Sequence, residues 1–291
     1  MTNRYFFQIE YDGTLFHGFQ RQQNTRSTVQ EKLEMALLEL TQEHLTVTCA
    51  GRTDTGVHAL GQVVHVDLED IWSVERLQAG LNFYLKNSGI SVLKVYHCDL
   101  HARFDAKERF YEYQILNRSA PSPLLANRAW HMSRPLDIEL MSEACHALIG
   151  YHNFDAFRSS SCAAPNPMRT LKTATISHGH LTGFPGVTVS CSQSLETVST
   201  GIQNADLDPG SAACGLVREA TPFVGQGIIT LNFSAQAFLH NQVRIMVGTL
   251  VQIGLKKLDL GCIGKALQSG SRKDAGVTAP PHGLYFVKVV Y

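Results

Sequence analysis

The sequence predicts a mixed fold of α+β or α/β class, and two observations carry that reading. Runs in which apolar residues recur at every second position alternate along the chain with runs in which they recur every 3.6. The chain is also long enough, at 291 residues of which 44% are hydrophobic, to bury a core without a metal or a disulfide.

The elements follow in order. Residues 5–10 alternate as a strand and stop at the turn pair Asp12-Gly13. Val29, Leu33, Ala36, Leu37 and Leu40 fall on one helical face, so a helix is expected over 28–40, with Thr28 and Glu31 as a capping box. Strands are expected over 45–50 and 62–68, the second with Val64, Val66 and Leu68 on one face. A short helix near 74–82 and a strand near 90–97 follow. Residues 109–116 alternate again, with Tyr111, Tyr113 and Ile115 together. A helix over 137–149 ends at Gly150. Strands over 171–177 and 227–233, the longest helix over 238–253, a helix over 259–268 and a strand over 284–290 complete the chain. Residues about 181–226 are rich in Gly, Ser, Thr and Ala, too long for an ordinary connection. They read as an inserted loop, with a short strand near 187–191, that catalysis does not need. Two rounds of strand–helix–strand–strand suggest two related halves, 1–100 and 101–291.

Composition narrows the function. Lys and Arg number 25 and Asp and Glu number 25, for a formal net charge of zero. That excludes a strongly basic DNA-coating protein but not an enzyme with a local basic stripe. The seven cysteines form no CxxC pair and are odd in number, against a disulfide framework or a four-cysteine zinc site. The N-terminus lacks the pattern of a signal peptide, and no apolar run reaches membrane-spanning length. A reducing, cytoplasmic compartment without a membrane partner is expected.

The sharpest local feature is Ala50-Gly51-Arg52-Thr53-Asp54-Thr55-Gly56-Val57-His58-Ala59. A strand enters a tight segment bracketed by two glycines, which let a ligand or another backbone approach. If the run stays extended, Arg52 and Asp54 share one face, and the arginine keeps the carboxylate charged. A charged, oriented carboxylate can be a nucleophile, a base or a metal ligand. On spacing alone, a surface salt bridge is the commoner explanation. A metal site built on Asp54 and His58 has no evident third ligand.

The stretch AGRTDTGVHALGQVVH resembles the signature of the tRNA pseudouridine synthase A family, with Thr55 where alanine is usual. Four further stretches resemble family segments in order: IEYDGTLFHGFQRQ at 9–22, with Phe19 where tryptophan is common; HARFDAKERFYEYQILN at 101–117; FLHNQVRIMVGTLVQIG at 238–254; and the closing GLYFVKVVY. The proline common after Leu85 in the family is absent. The resemblance implies an α+β fold with a mainly antiparallel sheet flanked by helices, in two related halves. It implies isomerisation of uridine to pseudouridine at positions 38, 39 and 40 in the anticodon stem-loop of tRNA, by a homodimer that uses no cofactor, metal or DNA. It maps the nucleophile onto Asp54, attacking either C6 of the uracil or C1′ of the ribose. It maps the motif arginine onto Arg52, the active-site tyrosine onto Tyr111 and the third-motif arginine onto Arg244.

These roles suit the chemistry. A base inside a stem must be flipped out before a carboxylate reaches it. Arg52 can stack in the gap, Tyr111 can wall the uracil and serve in proton removal from C5, and Arg244 can aim Asp54. Without the resemblance, Tyr111 and Tyr113 read as core residues and Arg244 as a snorkelling arginine. His101, His131, His152 and His240 read as ordinary polar histidines, and Asp12 as a turn residue. Arg21, Arg26, Arg103 and Arg169, with Lys172, Arg272 and Lys273, are the candidate phosphate contacts. The rival readings are the same chemistry on another RNA, a tRNA-binding or folding protein without catalysis and, more distantly, a metal-dependent hydrolase.

Overall fold

The computed structural model of the chain describes residues 3–23, 27–179 and 227–291. The expected insertion at about 181–226 and its short strand at 187–191 lie outside the described residues.

In chain order the elements are β1 (Asn3–Tyr11), α1 (Val29–Thr41), β2 (Thr48–Cys49), β3 (His58–Leu68), α2 (Val74–Tyr84), β4 (Ile90–His97), β5 (Glu108–Asn117), β6 (Trp130–Met132), α3 (Ile138–His146), β7 (Gly150–Asn153), β8 (Met168–Gly179), β9 (Gly227–Ala235), α4 (Gln242–Gly254), α5 (Gly261–Ser269) and β10 (Leu284–Val290). Short 3-10 turns occur at Gly13–Leu15, Asp155–Phe157, Arg272–Asp274 and Pro281–Gly283.

The strands form one sheet in the order β4-β1-β3-β10-β5-β9-β8-β7, with β2 beside β3 and β6 beside β5. Pairing is antiparallel except for β3 with β10 and β5 with β6. The β3–β10 seam is short, joining only Tyr285 to His58 and Phe286 to Ala59. On its other side β10 pairs with β5, setting Phe286 opposite Tyr111. A mainly antiparallel α+β architecture is therefore established, with the end of the Ala50–Val57 segment at the seam.

Most expected elements form, for the anticipated reasons. Thr28 accepts a hydrogen bond from the Glu31 amide and caps α1. Asp137 caps α3 through the Leu140 amide. β4 and β10 have the expected bounds. The side chains of β1 are buried on both faces: Tyr5, Phe7, Ile9 and Tyr11 on one, Phe6 on the other against His65, Tyr96 and Tyr291. Burying each such ring contributes roughly 1.5–3 kcal/mol.

Three expectations are corrected. The strand over 45–50 shrinks to Thr48–Cys49 because the Val47 amide turns away to the buried carboxylate of Glu34, 3.1 Å distant. The helix expected over 137–149 ends at His146, and its last turn tightens into i to i−3 bonds from Ala147, Leu148 and Ile149. The helix expected over 238–253 begins only at Gln242, because Asn241 adopts a left-handed conformation with φ 62°. Residues 238–241 become a loop.

Candidate active site

The Ala50–Val57 loop is held by its neighbours at several backbone groups. The fully buried Gln62 clamps Gly51: its Nε2 donates to the Gly51 carbonyl at 2.6 Å, and its Oε1 accepts from the Gly51 amide at 3.3 Å. The Thr53 carbonyl accepts from the Phe19 amide at 3.0 Å, and its hydroxyl bonds the Tyr11 hydroxyl at 2.7 Å. The Asp54 carbonyl accepts from the Val57 amide in a turn closed by Gly56 at φ +79°. Gly13 packs so close to this turn that a Cβ there would lie 2.1 Å from the Val57 carbonyl oxygen. The part-exposed Asp54 carboxylate is the one acidic group the loop presents.

Of the Asp54 partners read in the sequence Arg244 is present, and His240 stands where Arg52 was expected. Asp54 Oδ1 lies 3.2 Å from His240 Nε2, and Oδ2 lies 3.6 Å from Arg244 Nη1. Arg244 is itself fixed, donating through Nε to the Ala279 carbonyl and through Nη1 to Asn241 Oδ1, both at 2.8 Å. His240 Nδ1 lies 3.2 Å from the Ser161 hydroxyl, and its carbonyl accepts from the Ser159 amide. Partly exposed polar contacts of this kind contribute about 0–1 kcal/mol to stability, so their consequence is the aim of the carboxylate.

Arg52 is not among these partners. The segment is a loop rather than an extended strand, so Arg52 and Asp54 do not pair, and Arg52 points to solvent. The expectation that Arg52 holds the Asp54 charge is therefore corrected, while its exposure leaves it able to meet RNA. His240, taken from the sequence as ordinary, is the residue that reading missed. It lies in the loop that replaces the expected first turn of the helix, so helical spacing gave no signal of its place.

Tyr111 and Tyr113 separate in the structure. The Tyr113 hydroxyl donates to the Pro280 carbonyl at 2.8 Å in the core. The Tyr111 hydroxyl makes no hydrogen bond among the described residues, and its ring meets Phe238 and Phe286 edge-on at 5.0 and 5.1 Å. Burial, reinforced by the nearby Tyr11 hydroxyl and the Asp54 charge, pushes that hydroxyl far above the usual phenol range. Tyr111 is thus a neutral phenol close enough to Asp54 to feel its charge.

His58 leaves no nitrogen for a metal beside Asp54. Its Nδ1 accepts from the Gly13 amide at 3.1 Å, and its Nε2 faces the Asn127 carbonyl at 2.9 Å. Burial and the Arg128 charge lower its pKa, so it is a neutral ring. The 3.3 Å approach of Asp12 to Nδ1 is not an ion pair in that tautomer. Asp12 pairs instead with Arg128 at 2.6 Å. Burial pushes the Asp12 carboxyl upward, but hydrogen bonds from Thr14 and Arg128 outweigh it and hold it below its ordinary value. Asp12 is more than a turn residue, because it ties the N-terminal segment to the 127–128 loop. Among the described residues no three His, Cys, Asp or Glu side chains cluster as a metal site.

The candidate phosphate contacts divide. Arg21 pairs with Glu34, Lys172 with Glu108, and Arg169 and Arg272 spend donors on backbone carbonyls. Arg26 lies outside the described residues. Arg103 and Lys273 are exposed and form no ion pair among the described residues.

A buried arginine, unforeseen in the sequence, joins three of these segments. Arg109 donates through Nε to the Ala50 carbonyl at 2.9 Å, through Nη2 to the Arg103 carbonyl at 2.7 Å, and through Nη1 to the Gln236 carbonyl. It thereby connects the aspartate loop, the 101–106 turn and the loop that carries Phe238 and His240.

Fold and loop together give the class: in architecture the chain is a pseudouridine synthase. The sequence model of the family described as tRNA pseudouridine synthase matches residues 8–105 and 144–291. Asp54, Arg52 and Arg244 lie in those stretches, and Tyr111 falls between them. The chain is similar to tRNA pseudouridine synthase A of Wolbachia pipientis subsp. Culex pipiens (strain wPip), 39% identical over 99% of this chain and 100% of the relative. It is similar also to the proteins of that name from Ehrlichia chaffeensis, 38% identical over 99% of this chain and 100% of the relative, and Rhodospirillum centenum, 39% identical over 99% of each. The chain belongs to the tRNA pseudouridine synthase family and is an isomerase. Among the described residues no helix is long and apolar enough to cross a membrane.

Proposed function

We propose that the chain converts uridine to pseudouridine at positions 38, 39 and 40 in the anticodon stem-loop of tRNA, with Asp54 as the nucleophile. The observation that carries this reading is the rigid loop that offers one carboxylate, set between Arg244 and His240 and beside the neutral Tyr111 phenol. The chemistry needs no water or redox partner. Asp54 attacks C6 or C1′ of a flipped-out uridine and the C1′–N1 bond breaks. The base turns, C1′ bonds to C5, the bond from Asp54 to C6 or C1′ breaks and returns the free carboxylate, the C5 proton leaves, and N1 ends protonated. Tyr111 walls the base and passes on the C5 proton, Arg244 fixes the carboxylate, and Arg52 fills the space the base vacates.

The reading includes a division at about residue 100 into two halves, for which the short β3–β10 seam speaks, and a homodimer in the cytoplasm. Light scattering tests the dimer, and a monomeric mass in active protein would contradict it. The target site is tested by mapping pseudouridine in unmodified tRNA transcripts incubated with the enzyme. Modification confined to uridines 38–40 is expected. Modification only elsewhere, or only in another RNA, would refute the site, and binding without any pseudouridine would refute the activity.

A further inference from the structure

Phe104 is an apolar ring set out in solvent, 74% exposed. It is not on a loose loop. The His101 amide donates to Asp105 Oδ2 at 2.6 Å, and the Asp105 amide returns to the His101 carbonyl at 3.1 Å. The amides of Arg103 and Phe104 both donate to His101 Nδ1, at 3.1 and 3.2 Å. Between them Ala102 is fully buried, its amide donating to His65 Nδ1 and its carbonyl accepting from the Tyr291 hydroxyl. This turn is rigid, and it presents the ring outward.

The surroundings of the ring indicate what it meets. The His101 ring backs it at 4.3 Å between centroids, tilted by 30°. The Arg103 guanidinium lies 5.6 Å from its centroid. Arg103 and Arg52 are both exposed, and neither forms an ion pair among the described residues. The turn is also fastened to the aspartate loop, because Arg109 holds the carbonyls of Arg103 and Ala50. A bare aromatic face beside the Arg103 guanidinium, which forms no ion pair among the described residues, has the chemistry that receives an unpaired nucleotide: the ring stacks on the base and the cation meets phosphate.

We propose that Phe104, with Arg103, is a stacking platform for an unpaired base of the RNA substrate, next to the aspartate loop. This rests on the reading that the chain modifies tRNA. A fixed aromatic face gives affinity without base selectivity, since every base has a π-face. The platform therefore holds the RNA while Asp54 acts on the target uridine.

The test compares wild type, Phe104→Ala and Phe104→Trp in binding and turnover of one unmodified tRNA transcript with a uridine at position 39. Phe104→Ala is expected to raise Kd roughly 5- to 100-fold, with kcat at saturating transcript, thermal midpoint and mass by light scattering unchanged. Phe104→Trp is expected to restore affinity, and its added emission to be quenched on binding. Wild-type Kd in Phe104→Ala, unquenched emission in Phe104→Trp, or an altered mass in Phe104→Ala would each overturn the platform while leaving the activity standing. A wild type that neither binds nor modifies the transcript would overturn the activity and the platform together.

Discussion

The Nε2 atom of His240 lies 3.2 Å from Oδ1 of Asp54, nearer than any atom of Arg244 comes to the other oxygen, at 3.6 Å. The two groups face opposite oxygens of one carboxylate and arrive from one loop-to-helix junction. His240→Ala is expected to lower kcat about tenfold, with KM for tRNA within about threefold, because an aimed carboxylate contributes mainly in the transition state. His240→Gln keeps a donor and is expected to recover most of the loss. Steady-state rates on a tRNA transcript read both, and a change in KM alone would instead give His240 a role in RNA binding.

Tyr111 is positioned to distinguish a wall from a proton carrier. Tyr111→Phe keeps the ring between Phe238 and Phe286 and removes a hydroxyl that makes no hydrogen bond among the described residues. Its stability is expected to stay within about 0.5 kcal/mol of wild type. Turnover is expected to fall about 100-fold or more if the phenol handles the C5 proton. Unchanged turnover in this variant would leave Tyr111 only the stacking role.

Arg109 is buried with carbonyl partners from three segments, and a lysine cannot span them with one ammonium group. Arg109→Lys is expected to cost on the order of 2–4 kcal/mol in urea denaturation, since it leaves buried carbonyls unpaired. A loss below about 1 kcal/mol would mean that the three segments hold without it.

Acid should weaken the fold in a defined window. Burial, aided by the charges of Arg4 and His101, lowers the His65 pKa from 6.5 to about 4. In that interval the unfolded chain binds the proton and the folded chain does not, so stability is lost as pH falls from about 6.5 towards about 4. Above the window this contribution is complete. His58 shifts in the same direction. Asp12 and Asp67, both held below the ordinary 3.8, add their loss at still lower pH. Urea midpoints at about pH 7 and pH 4.5 measure the effect, and His65→Gln is expected to flatten it.

Much of this was legible in local sequence. The capping box at Thr28 and Glu31 marks the start of α1, and alternation sets β4 and β10. The motif around Asp54 identifies the loop. What escaped depends on contacts between segments distant in the chain. Val47 leaves its strand because Glu34, on a preceding helix, accepts its amide. The start of α4 is displaced by the left-handed Asn241, which periodicity does not register. That displacement makes the loop that brings Phe238 to Tyr111 and His240 to Asp54. Arg109 sits in an alternating strand, where spacing gives no sign that three loops converge on it.

The most direct measurement is tritium release from tRNA carrying C5-tritiated uridine, run with wild type beside Asp54→Asn. Release by wild type alone, with tRNA binding by Asp54→Asn within a few-fold, is the expected result. Sustained release by Asp54→Asn would contradict the nucleophile on which the account rests.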